Sequence, residues 1–351
     1  MSQDQRNLLK KIKPRDMIYP IIIGLGVVGY MIYRDFDPEL FSYFSFSAET
    51  FLWLFAAVVF MAGRDIGYII RIKILSEGAL TWMQAFRVIM LWEFTSAVTP
   101  SAVGGTSFAV IYVHKEGISV GKSSAIVLLT SFFDELYFIV MFPLMIALIG
   151  FDTLFDTTTH DAITTGIFAI ALTGYSLKLA YLVVVSYGLF VNPQGLRWLL
   201  LKIFRIKPLR RWYAGAVRTG DDIVTSSYEL RKKNVAFWFK TIASTFLSWS
   251  SRYLVVNAIL LAFFSVGDHL LLFARQLVMW IMMLVMPTPG GSGFAEYFFK
   301  EYLSDFIPVE PAIKLGVAAM IALIWRLITY YPYLAIGAII FPRWLKRKFG
   351  E

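Results

Sequence analysis

The chain has no cysteine among its 351 residues. That excludes a disulfide framework, a thiolate metal site and a thiol nucleophile. Histidine is nearly as scarce, with residues only at 114, 160 and 269, so no metal site and no cofactor is expected. Charge is sparse too: 16% of residues are charged, against 58% hydrophobic and 17% aromatic. Such a composition excludes an ordinary soluble domain and indicates an all-α, polytopic membrane protein. The formal net charge of +9 comes without a nucleic-acid recognition motif. Its basic residues gather in loops beside apolar runs, where they mark the cytoplasmic side of a membrane. No nucleotide-binding motif is present, so any transport would run on an ion gradient or simply downhill.

A helix needs about 20 apolar residues to cross the hydrocarbon core. The first such run, about residues 17 to 33, follows Arg6, Lys10, Lys11, Lys13 and Arg15, which places the N-terminus in the cytoplasm. It lacks the small-residue cleavage site of a signal peptide. Residues 51 to 70 return to a basic Arg-Ile-Lys end. Residues 82 to 111 are interrupted by Pro100, Gly104 and Gly105 and start and finish beside basic residues, the pattern of a re-entrant hairpin. Residues 123 to 150 cross outward and 162 to 191 cross back. A loop from about 192 to 234 with ten Lys or Arg residues is the strongest cytoplasmic marker, and its stretch GLRWLLLKIFRI is suited to lie against anionic lipid. Residues 235 to 266 cross outward, 269 to 303 form a second hairpin broken at PTPGGSG, and 313 to 341 cross inward to RWLKRKFG. The expectation is about six spans and two opposed hairpins with both termini cytoplasmic. An eight-span arrangement stays open, because each hairpin's first limb is long enough to span.

The two halves resemble each other. Arg64 recurs as Arg252, and Arg87 and Trp92 recur as Arg275 and Trp280, all at an offset of 188. GGTSFA, from Gly104, recurs as GGSGFA, from Gly290, at an offset of 186. Repeat one covers about 50–150 and repeat two about 235–341. With the orientation above, the second copy is inverted, the plan by which transporters expose one midplane site to each side in turn. Broken backbone facing lipid would leave peptide groups unpaired, so both breaks should be buried or line a cavity. Pro100, Pro287 and Pro289 end the entering limbs. The paired glycines let the chain turn and leave N–H groups at the returning helix open to an anion.

Arg64, Asp65, Glu93, Asp134, Glu135, Arg252, Arg275 and Arg326 all fall within apolar segments, where each would be costly against lipid. One reading is structural: Asp134 or Glu135 pairs with an arginine such as Arg326, and Arg87 and Arg275 snorkel to headgroups. The other is functional: the surplus of arginine beside two anion-receptive helix starts recognises phosphate. Lys178 and Lys240 read as snorkelling residues, and Trp212 and Tyr330 as interface anchors.

PTPGGSGFAE resembles the Pro-Gly-Gly-x-Gly-x-x-Glu signature of the lysylphosphatidylglycerol synthase transmembrane-region, or flippase-like, family. Pro289, Gly290, Gly291, Gly293 and Glu296 match it. Pro100, Gly104, Gly105 and Glu135 are similar to the family's first-half pattern, although TSFAV follows the first glycines where relatives often place a basic residue, and Leu136 rather than arginine follows Glu135. The resemblance implies movement of lipids, including aminoacylated phosphatidylglycerol and other lipid-linked molecules, between leaflets. It is to a stand-alone member. With the sequence ending at Glu351, the soluble aminoacyl-transfer domain of larger relatives, and so its synthase activity, is not expected.

The expected function is therefore a lipid translocator, a flippase or scramblase, in the bacterial inner membrane. Arg64, Arg252 and Arg326, with Gly104, Gly105, Gly290, Gly291, Gly293 and Glu296, would bind a headgroup phosphate. Glu93, Asp134 and Glu135 would pair with those arginines or couple movement to a proton. The expected partners are membrane lipids, either anionic or aminoacylated phospholipid or a lipid-linked glycan, and not nucleic acid. The alternatives are a transporter of small organic anions and an integral-membrane lipid-modifying enzyme; no catalytic motif supports the latter.

Overall fold

The computed structural model describes residues 30, 33, 40, 43–99, 104–155, 162–284, 288, 291 and 293–349. Nearly all of the first expected span lies outside these residues, as do Pro100, Pro287, Pro289 and Gly290. The described residues form helices and connecting turns without strands. In chain order the helices are α1 (Ala48–Leu75), α2 (Trp82–Val98), α3 (Gly104–Lys115), α4 (Val120–Ile149), the short α5 (Phe151–Phe155), α6 (Ala162–Ser186), α7 (Pro193–Phe204), α8 (Tyr213–Arg231), α9 (Val235–Phe263), α10 (His269–Met283), α11 (Phe294–Leu303), α12 (Pro311–Thr329) and α13 (Tyr331–Phe349).

Among the described residues five segments are long and apolar enough to cross a bilayer: Ala48–Leu75, Val120–Ile149, Gly166–Val191, Val235–Phe263 and Pro311–Lys348. Even the 26-residue segment is about 39 Å long, more than the about 30 Å hydrocarbon core requires. The chain is thus an all-α, multi-pass membrane protein.

Two segments differ from the sequence expectation. Residues 192–234 are a helical pair rather than a loop. Asn192 caps α7 by accepting the Gly195 N–H, with Pro193 in the first turn where its missing N–H is harmless. The last span is longer than expected and has two helices, α12 and α13: Tyr330 leaves helical geometry (φ −129°, ψ −57°) two residues before Pro332, which has no N–H to continue the α12 ladder and whose ring crowds the carbonyl four residues back.

The chain divides into two compact units. One comprises residues 62–89 and 106–252. In it, α1 and α9 approach backbone to backbone. A Cβ on Gly67 would lie 2.8 Å from the Ser244 carbonyl oxygen and 2.9 Å from the Ser248 nitrogen, and Gly63 faces Ser251. Small residues at this spacing allow the close approach that drives association in lipid, and the Ser248 hydroxyl donates to the Arg64 carbonyl at 2.7 Å. Helix α8 meets α4 where Gly121 faces Asp222. Within α4, Pro143 cannot donate to the Ile139 carbonyl four residues back. The Tyr175 hydroxyl of α6 donates to that oxygen instead, at 3.4 Å. At the end of α1, Glu77 accepts from Lys122 at 3.3 Å and also pairs with Lys233.

The other unit comprises the described residues of 1–61, 90–105 and 253–351. Here α9 and α10 share a polar link: Gln276 donates to Asn257 Oδ1 at 3.0 Å, and Asn257 donates to the His269 carbonyl at 3.0 Å. Gly337 of α13 lies so close to the Phe94 ring that a Cβ would sit 2.1 Å from it.

Candidate functional site

The two expected hairpins are pairs of short helices. Helices α2 and α3 have 17 and 12 residues, and α10 and α11 have 15 and 10, so the limbs run from about 15 to 26 Å and each falls short of a full crossing. In each pair the limbs are antiparallel. At the closed end of the first, Gly105 abuts Ser96. At the open end Arg87 donates to Glu116 at 2.9 Å. In the second, Gly291 abuts the Met283 methyl group, and at the open end Arg275 donates to Asp305 at 2.8 Å and to the Tyr302 carbonyl at 3.3 Å. Arg87 and Arg275 therefore do not snorkel to headgroups. Each sits near the start of an entering limb and holds the acidic residue just past the end of the returning one.

At the second turn Gly291 (φ +67°) and Gly293 (φ +88°) occupy the left-handed region, which explains these two glycines of the motif. The helix start that follows is not open, however. Glu296, in the first turn of α11, folds back so that its Oε2 accepts the Gly293 N–H at 2.7 Å. Its Oε1 accepts from Arg326 Nε at 2.6 Å. This is the reciprocal half of a capping box. At the Gly293 N–H, therefore, the anion in place belongs to the chain. The pair is dry, Glu296 being 1% and Arg326 4% exposed, and Lys300, one turn further along α11, is 2% exposed. Arg326 also lies over the rings of Trp325 and Tyr330, at 5.0 and 4.7 Å. The Tyr330 hydroxyl donates to the Ala97 carbonyl at 3.0 Å, so Tyr330 is a buried strut rather than an interface anchor. Glu93, on α2 of the same unit, is half-buried.

The other unit contains a second charged cluster. Arg64 is 1% exposed and donates to its neighbour Asp65 at 2.7 Å. Seven residues, or two turns, further along α1 is Arg71, equally buried, and between them the Tyr68 ring receives both guanidinium groups at 4.4 and 4.7 Å. Arg71 grips Asp134 with two hydrogen bonds of 2.7 and 3.1 Å and Thr245 with a third of 3.1 Å. The Trp249 N–H adds a bond to Asp134 at 2.6 Å. Arg252 lies over the Trp249 ring at 5.7 Å. Glu135 takes a different partner, Lys178, at 2.7 Å.

Neither Asp134 nor Glu135 pairs with Arg326, which holds Glu296. Arg71, whose sequence position suggests the basic end of a span, is a buried anchor. Lys178 is an ion-pair partner rather than a snorkelling residue. Gly104 opens α3, and Gly105 supports the first hairpin through packing.

No solved structure matches this chain. It is similar to a UPF0104 membrane protein of Archaeoglobus fulgidus, with 25% identity over 328 residues, covering 91% of this chain and 94% of that protein. The pattern described as the lysylphosphatidylglycerol synthase TM region matches residues 17–337, a stretch that contains both hairpins, both charged clusters and the helical pair between them. The chain belongs to the lysylphosphatidylglycerol synthase transmembrane-region family.

Proposed function

We propose that this chain is a lipid translocator that carries a phosphate-bearing lipid between the leaflets of a bacterial inner membrane, without a chemical step. The observation that carries the proposal is the second hairpin. Its glycine turn brings the start of α11 to a dry point that the buried Arg326 of α12 also reaches, through Glu296, and helix starts of this kind hold ionic headgroups in transporters with broken helices. Within the other unit, Arg64 and Arg252 are a separate candidate for meeting a headgroup phosphate, and the acyl chains stay in the bilayer. Asp134 and Glu135 balance the adjoining cations. The family's name supports an anionic or aminoacylated phospholipid as cargo, and a lipid-linked glycan presents the same phosphate. In this reading the two repeats are inverted, the hairpins open to opposite sides, and both termini and the α7–α8 pair face the cytoplasm.

The test is reconstitution of the purified chain into liposomes containing a fluorescent phosphatidylglycerol, with an impermeant quencher reporting the outer leaflet. Protein-dependent exchange of the lipid, lost in the Arg64→Ala, Arg252→Ala double variant, is expected. Uptake of a soluble organic anion without lipid exchange would instead identify a small-anion transporter, and unchanged lipid exchange in the double variant would remove those arginines from the site.

A further inference from the structure

The anion at the second hairpin is the protein's own. Glu296 Oε2 takes the N–H at the start of α11 and Oε1 takes Arg326 Nε, so one carboxylate occupies the donors that an oxyanion ligand would use. We propose that Glu296 is a tethered competitor: it fills the oxyanion site of the second hairpin at rest and is displaced by the phosphodiester of the cargo. The inference rests on reading that hairpin as the headgroup site and adds how the site is kept filled between turnovers.

Three features fit displacement better than a fixed strut. The first is charge: Glu296 meets Arg326 as one carboxylate oxygen on one guanidinium N–H, a contact that a phosphodiester oxygen makes equally well. A phosphodiester also carries one negative charge, as a carboxylate does, so it can replace Glu296 on the Arg326 N–H once that side chain has swung away. The second is tethering. Glu296 holds the site through a flexible side chain anchored on the helix that it caps, and rotating that side chain frees both donors without moving backbone. The third is exclusion of water. An empty site would leave Arg326 and the helix start without an anion in a dry surrounding, at high cost; a tethered carboxylate removes that cost until cargo arrives.

A site occupied by its own competitor nine-tenths of the time binds a ligand about ten-fold more weakly than the open site. Glu296→Gln keeps the capping geometry, since glutamine also serves at this position, but removes the charge that holds Arg326. The full chain in detergent should therefore bind inorganic phosphate and short-chain phosphatidylglycerol about ten-fold more tightly as Glu296→Gln than as wild type, measured by titration calorimetry. Arg326→Gln should abolish the gain. Glu296→Asp, which keeps the charge and loses reach, should fall between and serves if Glu296→Gln does not fold. Equal or weaker binding in whichever of these variants folds overturns the proposal, because Glu296 is then a structural cap.

The two probes distinguish sources. A gain for the lipid identifies a lipid headgroup, and a gain for phosphate alone identifies a soluble oxyanion and keeps the competitor. Failure of the parent reading is separate: tighter binding without lipid exchange in liposomes removes the translocator and keeps the competitor, whereas lipid exchange with equal affinities does the reverse.

Discussion

Arg275 reaches from the entering limb of the second hairpin to Asp305 beyond the returning limb, 2.8 Å away. Arg87, its counterpart 188 residues earlier, does the same to Glu116 at 2.9 Å. The clasps are alike in design and differ in solvent. Glu116 has 1% of its side chain exposed, whereas Asp305 has 58%. Removing Arg87 takes a cation from a buried carboxylate, a kind of loss that ranges up to about 3–5 kcal/mol. Removing Arg275 leaves Asp305 in water, where an ion pair is worth about 1 kcal/mol or less. Arg87→Gln should therefore lower stability in detergent unfolding much more than Arg275→Gln. Equal losses would mean that the ion pairs are not what closes the limbs.

The glycines of α1 are required by their neighbours and not by their φ angles. Gly67→Ala drives a methyl into the Ser244–Ser248 backbone and should cost about 1–3 kcal/mol. Gly166→Ala, in a helical position with no atom within 4 Å of the new Cβ, should be neutral or raise stability by up to about 1 kcal/mol. Heat or denaturant unfolding of the two variants side by side checks this.

The carboxyl of Glu77 is held below its ordinary value, chiefly by its hydrogen bond from Lys233, against the opposing effect of burial, with Lys122 adding to the lowering. A group whose folded pKa is depressed contributes stability above its unfolded pKa and loses it as pH falls through the folded one. The contribution is complete at neutral pH and disappears in the acid range below about pH 4.3. Glu77→Gln should thus remove part of the acid dependence of unfolding and leave the slope above pH 6 unchanged, which a pH series of melting curves measures.

With no cysteine in the chain, sidedness can be read directly. Ser292→Cys should react with a membrane-impermeant thiol reagent in intact cells, and Ser101→Cys only with a permeant one. Reaction of both from one side would eliminate the inverted repeat and the alternating mechanism attached to it.

The sequence carries the breaks because proline and glycine leave a local signature, and the recurrence of arginine and tryptophan at one spacing is legible there as well. Partners are another matter. Lys178 lies 43 residues from Glu135 and Arg71 lies 63 from Asp134, and nothing local marks either pair. Arg71 is further disguised by Lys73, two residues on, which gives the end of α1 the look of a cytoplasmic flank. The α7–α8 pair was obscured by its ten cations, since basic composition reports the side of the membrane and not the backbone. Glu296 was the most accessible of the missed details: Gly-x-x-Glu ahead of an apolar helix is the form of a capping box, and the fold-back that closes the anion site follows from it.

Pro143 and Tyr175 illustrate how such a protein can vary across lineages. The proline orphans the Ile139 carbonyl, and the tyrosine hydroxyl on another helix adopts it. The two positions are therefore expected to change together. A descendant that replaces the proline with an ordinary helix former is released from the tyrosine, and one that loses the tyrosine first inherits a penalty that only replacement of the proline can lift.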